Sequence, residues 1–515
     1  MKQLVRLHLR RDRWQLLAWV LFVGLLPTLM AVSTRQGYPD QATMDAFAQQ
    51  SMANASEVAL RGPVFAVSVG GLVAWTVASS GSLVSAVIAV LMAVRYVRSD
   101  EAAGRTELLR SQPVGRRDVL IAALAVPGGC AVAIGLVVFA GLAATGLPVA
   151  GSLLLGLVLM GSTLFFTGLG AVAAELSTSA GLARGLAFAA LGVLFVIAAA
   201  GDATHSALVW FSPFGWARYA QAFAADRFWV PLLPVVTAAL LAWVAITLDG
   251  VRDLGTGVLP SRPGRSVAAS WLNGPLTLAW RLGRGSLLGW SIGLGLLGVL
   301  MGSTMTNLDA QLDSAAFRDF AARHGGGSVG EVFFLFVLYV LGQVASAAAL
   351  ATVLSLRTHE ADGLAEPVLA QPVTRGRWVA SQVVMAAATG IGILAALAAG
   401  AALTSGKPAL AFVTLAYVPS LLLIVGLATA LVGWAPRAAV AVSWAVLAAL
   451  LLADLLGEFA LVPPDVVAAI SPYAATFRAI VGSGLPLVAA GLTVAAAALA
   501  ALGIVGLRRR DLQLG

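Results

Sequence analysis

The chain has 515 residues, of which 59% are hydrophobic and only 11% charged, with a mean hydropathy of +0.91. Soluble domains carry about 25% charged residues, so a soluble globular protein is excluded and an all-α polytopic membrane protein is expected. The net charge of +8 does not call for nucleic acid, because the arginines cluster in short segments between apolar runs, as the positive-inside rule requires.

Lys2, Arg6, Arg10, Arg11 and Arg13 precede the apolar run Trp14 to Val32. The arrangement resembles the basic region of a signal peptide, but the run exceeds a signal's roughly 7–15 residues and reads as a retained first span. Runs close to the ~20 residues a span needs lie near 14–33, 64–94, 119–145, 150–174, 183–200 and 229–248, then near 285–306, 329–356, 378–403, 408–433, 437–458 and 485–507. Twelve transmembrane helices, six per half, are therefore predicted. The second would measure about 46 Å at 1.5 Å per residue. It should tilt and carry its inner end out of the membrane. The segments 201–228 and 459–484 are too long for turns and hold Pro and apolar residues. They read as re-entrant or interfacial pieces, tolerated where protein or water satisfies their backbone.

The two halves repeat. Arg98, Glu101, Ala102, Gly104, Glu107, Gln112, Pro113, Val114 and Arg116 recur at a constant offset of 259 as Arg357, Glu360, Ala361, Gly363, Glu366, Gln371, Pro372, Val373 and Arg375. Such recurrence of polar residues in an apolar chain points to duplication. Arg13 and Trp19 match Arg284 and Trp290, Ser212-Pro213 matches Ser471-Pro472, and Arg252-Asp253-Leu254 matches Arg510-Asp511-Leu512. Six spans is an even number, so the halves are parallel repeats. The predicted organisation is a first half at 1–250, a linker and connecting segment at 251–283, and a second half at 284–515. With the N-terminus inside, 24 of the 32 Lys and Arg residues lie on the inner side and 8 outside, which places both termini and both repeated stretches in the cytoplasm.

Within the first repeated stretch, Glu101 with Arg105 and Glu107 with Arg110 have helical spacing, and Gln112-Pro113-Val114 ends that helix. Two equivalent polar knobs on one face suit docking onto a two-fold symmetric partner.

Several chemistries lack their residues. A phosphate cradle needs G-x-x-x-x-G-K-[ST], and the only lysines are Lys2 and Lys407, the latter followed by Pro408. The single cysteine, Cys130, and the scattered His8, His205, His324 and His359 offer no metal-ligand spacing. Carboxylates such as Glu175, Asp249, Glu331, Asp454 and Glu458 fall at span ends rather than forming an intramembrane relay. Asp454 and Glu458, one turn apart, are compatible with an outer vestibule or with contact to a cationic substrate.

The pattern E-x-x-G-x-x-E followed by Q-P-V-x-R between the second and third of six spans resembles the permease subunits of type-2 ABC exporters. The fused, double-length form is similar to the permeases of polyketide-antibiotic (tetronasin-type) exporters of high-GC bacteria. The resemblance implies a bacterial cell-membrane protein that moves amphiphilic compounds outward. It implies a separate ATPase, bound as a homodimer, that holds the ATP and Mg while this chain carries no cofactor and no catalytic residue. The segments around Glu101, Gly104 and Glu107 and around Glu360, Gly363 and Glu366 would be coupling helices, with Gln112, Pro113, Arg116, Gln371, Pro372 and Arg375 closing them. Arg10, Arg13 and Arg284 would belong to connecting segments. The second and fifth spans would line the path, with Trp75, Phe188, Phe336, Tyr339, Gln343, Trp444 and Asp454 as candidate contacts. Pro367, where the first copy has Leu108, should shorten the second coupling helix. The alternatives are a carrier driven by an ion gradient and a membrane scaffold or immunity protein that shields without transport.

Overall fold

A computed structural model of the chain describes residues 2–111, 115–253, 255–259, 267–304, 329–458, 463–482 and 484–510. Every regular element among them is helical. The long helices are α1 (Lys2–Gly37), α2 (Val69–Ala102), α3 (Arg116–Ala144), α4 (Val149–Leu176), α5 (Ala180–Ala203), α6 (Leu232–Val251), α7 (Pro275–Thr304), α8 (Val329–Ala361), α9 (Arg375–Ser405), α10 (Ala409–Trp434), α11 (Ala439–Glu458) and α12 (Leu485–Arg509). Among the described residues, eleven are long and apolar enough to cross a membrane. The remaining one, α11, offers a shorter described apolar stretch, Ala439–Asp454. The chain divides into two compact units, Met1–Gly264 and Arg265–Gly515.

In the first unit α4 is the central helix and packs against α2, α3 and α6. Its sequence explains its place. Gly151, Ser152, Gly156, Gly161, Ser162, Gly168 and Gly170 recur along it and are buried, and small residues let helix backbones approach where lipid offers no hydrophobic drive. A Cβ on Gly156 would collide with the carbonyl of Gly135 in α3. In the second unit α9 packs closely on α7, and α10 on α12. There a Cβ on Gly433 would meet the backbone of Gly503.

α1 starts well before its apolar run. Leu4, His8, Asp12 and Leu16 are all buried at four-residue spacing, so one face continues through the basic segment while Arg6, Arg10 and Arg13 stay exposed. No Pro or Gly interrupts residues 2–23, and the result is one helix of 36 residues, about 54 Å long. α2 likewise runs on through Arg98 and Glu101, with π-helical turns at Val77–Gly81 and Arg95–Ser99. α8 runs on through Arg357 and Glu360.

At the opposite end of each unit lie the short elements. In the first unit these are Gln41–Ala53, Ala55–Arg61, a 3-10 turn at Ala207–Phe211 and Pro213–Tyr219. In the second they are Pro464–Ile470 and Pro472–Val481. Ser212 and Ser471 each cap the helix that follows them, accepting from the amides of Phe214 and Tyr473.

Candidate functional site

The repeated stretch has the same backbone frame in both units. α2 and α8 end at a glycine in the left-handed region, Gly104 at φ +71° and Gly363 at φ +70°. Only glycine adopts that conformation without a side-chain penalty, which accounts for its recurrence. A short helix follows, Arg105–Arg110 in the first unit and Glu366–Leu369 in the second. The second is shorter and carries Pro367 in its first turn.

The glutamate before each glycine points inward. Glu101 is 8% exposed and Glu360 1%. Glu101 accepts from Arg98 at 3.1 Å, from Arg252 at 2.7 and 2.8 Å, and from the amide of Gly255 at 2.7 Å. Arg252 also binds Glu175 at the end of α4, with Asp249 at 3.9 Å. Burial disfavours the Arg252 cation, but the hydrogen bonds it donates to Glu101 and Glu175 outweigh that and raise its pKa further. In the second unit Glu360 accepts from Arg510 at 2.8 Å on both oxygens, with Arg357 at 3.5 Å. Arg375 donates to the carbonyl of Arg510 at 2.6 Å. In each unit, then, a buried glutamate ties the end of the second long helix to the arginine that follows the sixth.

These ties correct the local pairing expected from spacing. Arg105 meets Asp100 at 2.7 Å, not Glu101, because Gly104 breaks the helix between them and cancels the i,i+4 register. They also identify the residues that sequence reasoning passed over, Arg252 and Arg510. The signal was present: both sit in a repeated Arg-Asp-Leu, and a recurring base in a protein with a recurring buried acid is its natural partner.

The outward faces are different residues. Glu107, Glu366, Gln371 and Pro372 are exposed, as are Leu108 (73%) and Leu364 (58%). Gln112 and Pro113 lie outside the described residues, and of Arg116 only the backbone, which opens α3, is described. Arg10, Arg13 and Arg284 are exposed, Arg13 lying over the Trp14 ring at 5.3 Å. Beside the first segment, Asp12 and Asp100 hold α1 in place: Arg11 binds Asp100 at 2.9 Å and Asp12 at 2.9 Å, and Arg95 binds Asp12 at 2.6 Å.

The candidate path residues scatter. Trp75 is buried and donates to the carbonyl of Gly62 at 2.7 Å. Phe188 is half-buried against the first unit's core, and Phe336 against the second's. Tyr339, Gln343 and Asp454 are buried in the second unit, where Gln343 donates to Asp454 at 2.6 Å and Ser471 donates to it at 2.9 Å. Trp444 is 42% exposed. Among the described residues no group of three His, Cys, Asp or Glu side chains is placed to hold a metal ion.

Residues 272–508 match the family model described as "Multidrug efflux system permease Rv1217c, C-terminal domain". The chain is 38% identical over 526 residues to the multidrug efflux system permease protein Rv1217c of Mycobacterium tuberculosis, the match covering 99% of this chain and 95% of the relative. With its many apolar helices, it is a multi-pass membrane protein. Similarity at this level over nearly the whole length places the chain in the multidrug efflux system permease family.

Proposed function

We propose that the chain is the membrane subunit of an ATP-driven exporter of amphiphilic, antibiotic-like compounds in a bacterial cell membrane. It would be built as two parallel six-helix repeats with both termini in the cytoplasm. A homodimer of a separate ATPase would dock beneath it and supply ATP and Mg chemistry. The observation that carries the reading is the doubled frame: buried Glu101 and Glu360, each tied to an arginine after the sixth helix, and the left-handed Gly104 and Gly363 that turn a short exposed helix out of each long one.

The frame divides the labour of the repeated stretch. Glu101 and Glu360 transmit position, because a push on the short helix reaches α2 and α6 together through Arg252, and α8 and the chain after α12 through Arg510. Glu107, Leu108, Leu364, Glu366, Gln371 and Pro372 face outward and would make the ATPase contacts.

The test is co-purification with the candidate ATPase, comparing wild type with the double variant Glu107→Arg plus Glu366→Arg. Both positions are exposed, so the variant should insert and fold normally. Reversing two interface charges should cut permease-stimulated ATP hydrolysis at least about tenfold, since like-charge juxtaposition across an interface costs several kcal/mol. Unchanged stimulation would remove the docking assignment.

A further inference from the structure

We infer that the first unit carries, at the end remote from Glu101, a binding pocket for the acidic or acceptor-rich head of an amphiphile. The pocket lies between the start of α2, the segment before it and the helix Pro213–Tyr219. Its walls include Arg61, Phe65, Trp75, Leu155, Arg218 and Gln221, and no carboxylate is among its lining residues. Its unfilled space, ≈ 360 Å³, is mostly open mouth, and the enclosed part is little more than water-sized, so it admits a small polar head and leaves the chain of the amphiphile outside.

Two cations face it in different ways. Arg218 is 4% exposed. Its Nη1 binds Asp202 and its Nη2 the carbonyl of Leu60, so its charge is balanced from behind. Its Nε–H has no hydrogen-bond partner among the described residues, although buried donors are rarely left unmade. Arg61 lies over the Trp75 ring at 5.0 Å. It presents a guanidinium against an aromatic wall, an arrangement that leaves donors available to an incoming acceptor.

The backbone beside the pocket is strained. Gln221, Phe223 and Asp226 hold φ of +54°, +61° and +44°, and non-glycine residues persist there only where the surroundings over-determine them. They are over-determined here. Asp226 accepts from the Phe223 amide at 2.8 Å, and the Phe223 ring occupies the space a Cβ would need on Gly70 and on Gly151. The turn holds Gln221 in the pocket wall as a further polar group. Such strain concentrates at ligand clamps.

At the constant offset of 259 the second unit has Phe477 and Ile480 in place of Arg218 and Gln221. Phe477 is buried against Tyr339, with ring centroids 5.9 Å apart. Among the described residues, the Arg218–Gln221 side of the pocket therefore has no counterpart at the matching positions of the second unit. The inference deepens the transport reading by naming a ligand class. Its test is independent of that reading, because binding to the chain alone needs neither an ATPase nor a direction.

The full chain in phosphatidylcholine nanodiscs is titrated with dansyl-undecanoic acid and with its methyl ester. Wild type should bind the acid more tightly than the ester. Arg61→Gln should weaken the acid about tenfold and leave the ester within about threefold, as loss of one charge-assisted contact predicts. Arg61→Lys should restore most of the difference, and gel filtration reports folding of each variant. Equal weakening of acid and ester, or acid binding that Arg61→Gln does not change, overturns the proposal. Repeating the titration in phosphatidylglycerol discs separates the sources. Competition by that lipid assigns the head to a membrane phosphate, its absence to a free amphiphile, and either result keeps the acceptor chemistry.

Discussion

Glu101 and Glu360 occupy matching frames with different surroundings. In the first unit Arg252 is shared between Glu101 and Glu175, with Asp249 close by, and all four side chains are nearly inaccessible. In the second, Arg510 binds Glu360 with its side chain 15% exposed, and the position matching Glu175 is Trp434, which lies 59% exposed and donates to the carbonyl of Leu502. The first segment is also bound to α1 through Asp12 and Asp100, whereas His359 stands where Asp100 would be. The teaching is that a duplicated frame need not be equally stiff. The first repeated segment is tied into its unit by several ion pairs, and the second, among the described residues, is tied mainly through Arg510, whose Nη2 donates to both oxygens of Glu360.

The largest expected effect tests that difference. Arg252→Ala leaves Glu101 and Glu175 buried with one less cation and should cost about 3–5 kcal/mol, the range for breaking a buried pair from one side. Arg510→Ala should cost less, on the order of 1–3 kcal/mol, since Arg510 is partly solvated and Arg357 remains beside Glu360. Apparent melting temperatures of the purified variants in one detergent check the order. Equal losses would mean that the two segments are equally anchored.

The opposite ends of the units also diverge. Phe214 and Tyr473 sit at matching positions, and both are fully buried. Phe214 packs against Phe166 at 5.2 Å and Phe195 at 5.4 Å. Around Tyr473 the matching positions have become polar: Val84 is Gln343, Val87 is Ser346 and Phe195 is Asp454. Phe214→Tyr would therefore bury a hydroxyl among aromatic rings and should destabilise by about 1–3 kcal/mol, measured by the same thermal assay. A neutral result would show that the first unit can accommodate the second unit's polar chemistry.

How much of this was legible follows from the range of the interactions. Apolar length is a local property, and the runs near 119–145, 150–174 and 485–507 correspond to α3, α4 and α12 within a few residues. Gly104 and Gly363 recur because a positive φ admits little else, and that too is local. The inward turn of Glu101 was not legible from its own neighbourhood, where Arg105 stood at helical spacing. Besides Arg98 three residues back, its partner Arg252 is 151 residues away, and only the paired recurrence of Arg252 and Arg510 carried that information. The pocket at Arg61 and Arg218 had no recurrent pattern, since the second unit replaces its residues. Folding of the 201–231 segment onto α2 and α4 creates it, with backbone conformations that composition does not announce.

The glycine frame supplies a control in which the units should agree. A Cβ at Gly104 or Gly363 meets nothing within 4 Å, so a substitution acts through backbone strain alone. Gly104→Ala and Gly363→Ala should each cost about 1–2 kcal/mol, and Asn, which tolerates the left-handed region, should cost less. A markedly unequal pair of alanine variants would show that the frame is shared in geometry but not in load.

The smallest effect is the reverse swap, Tyr473→Phe. Tyr473 donates to Ser346 at 2.6 Å, and Ser346 keeps its own bond to the carbonyl of Gly342 at 2.9 Å. Removing the phenolic oxygen leaves a serine that still donates and a ring of the shape the first unit already uses at this position. The net loss should be one ordinary hydrogen bond, about 1 kcal/mol. A loss several times larger would mean that Tyr473 holds the Gln343–Asp454–Ser471 chain in place. The asymmetry at this end would then be a connected polar network rather than a set of independent substitutions, and a double change of Tyr473 and Gln343 would prove strongly non-additive.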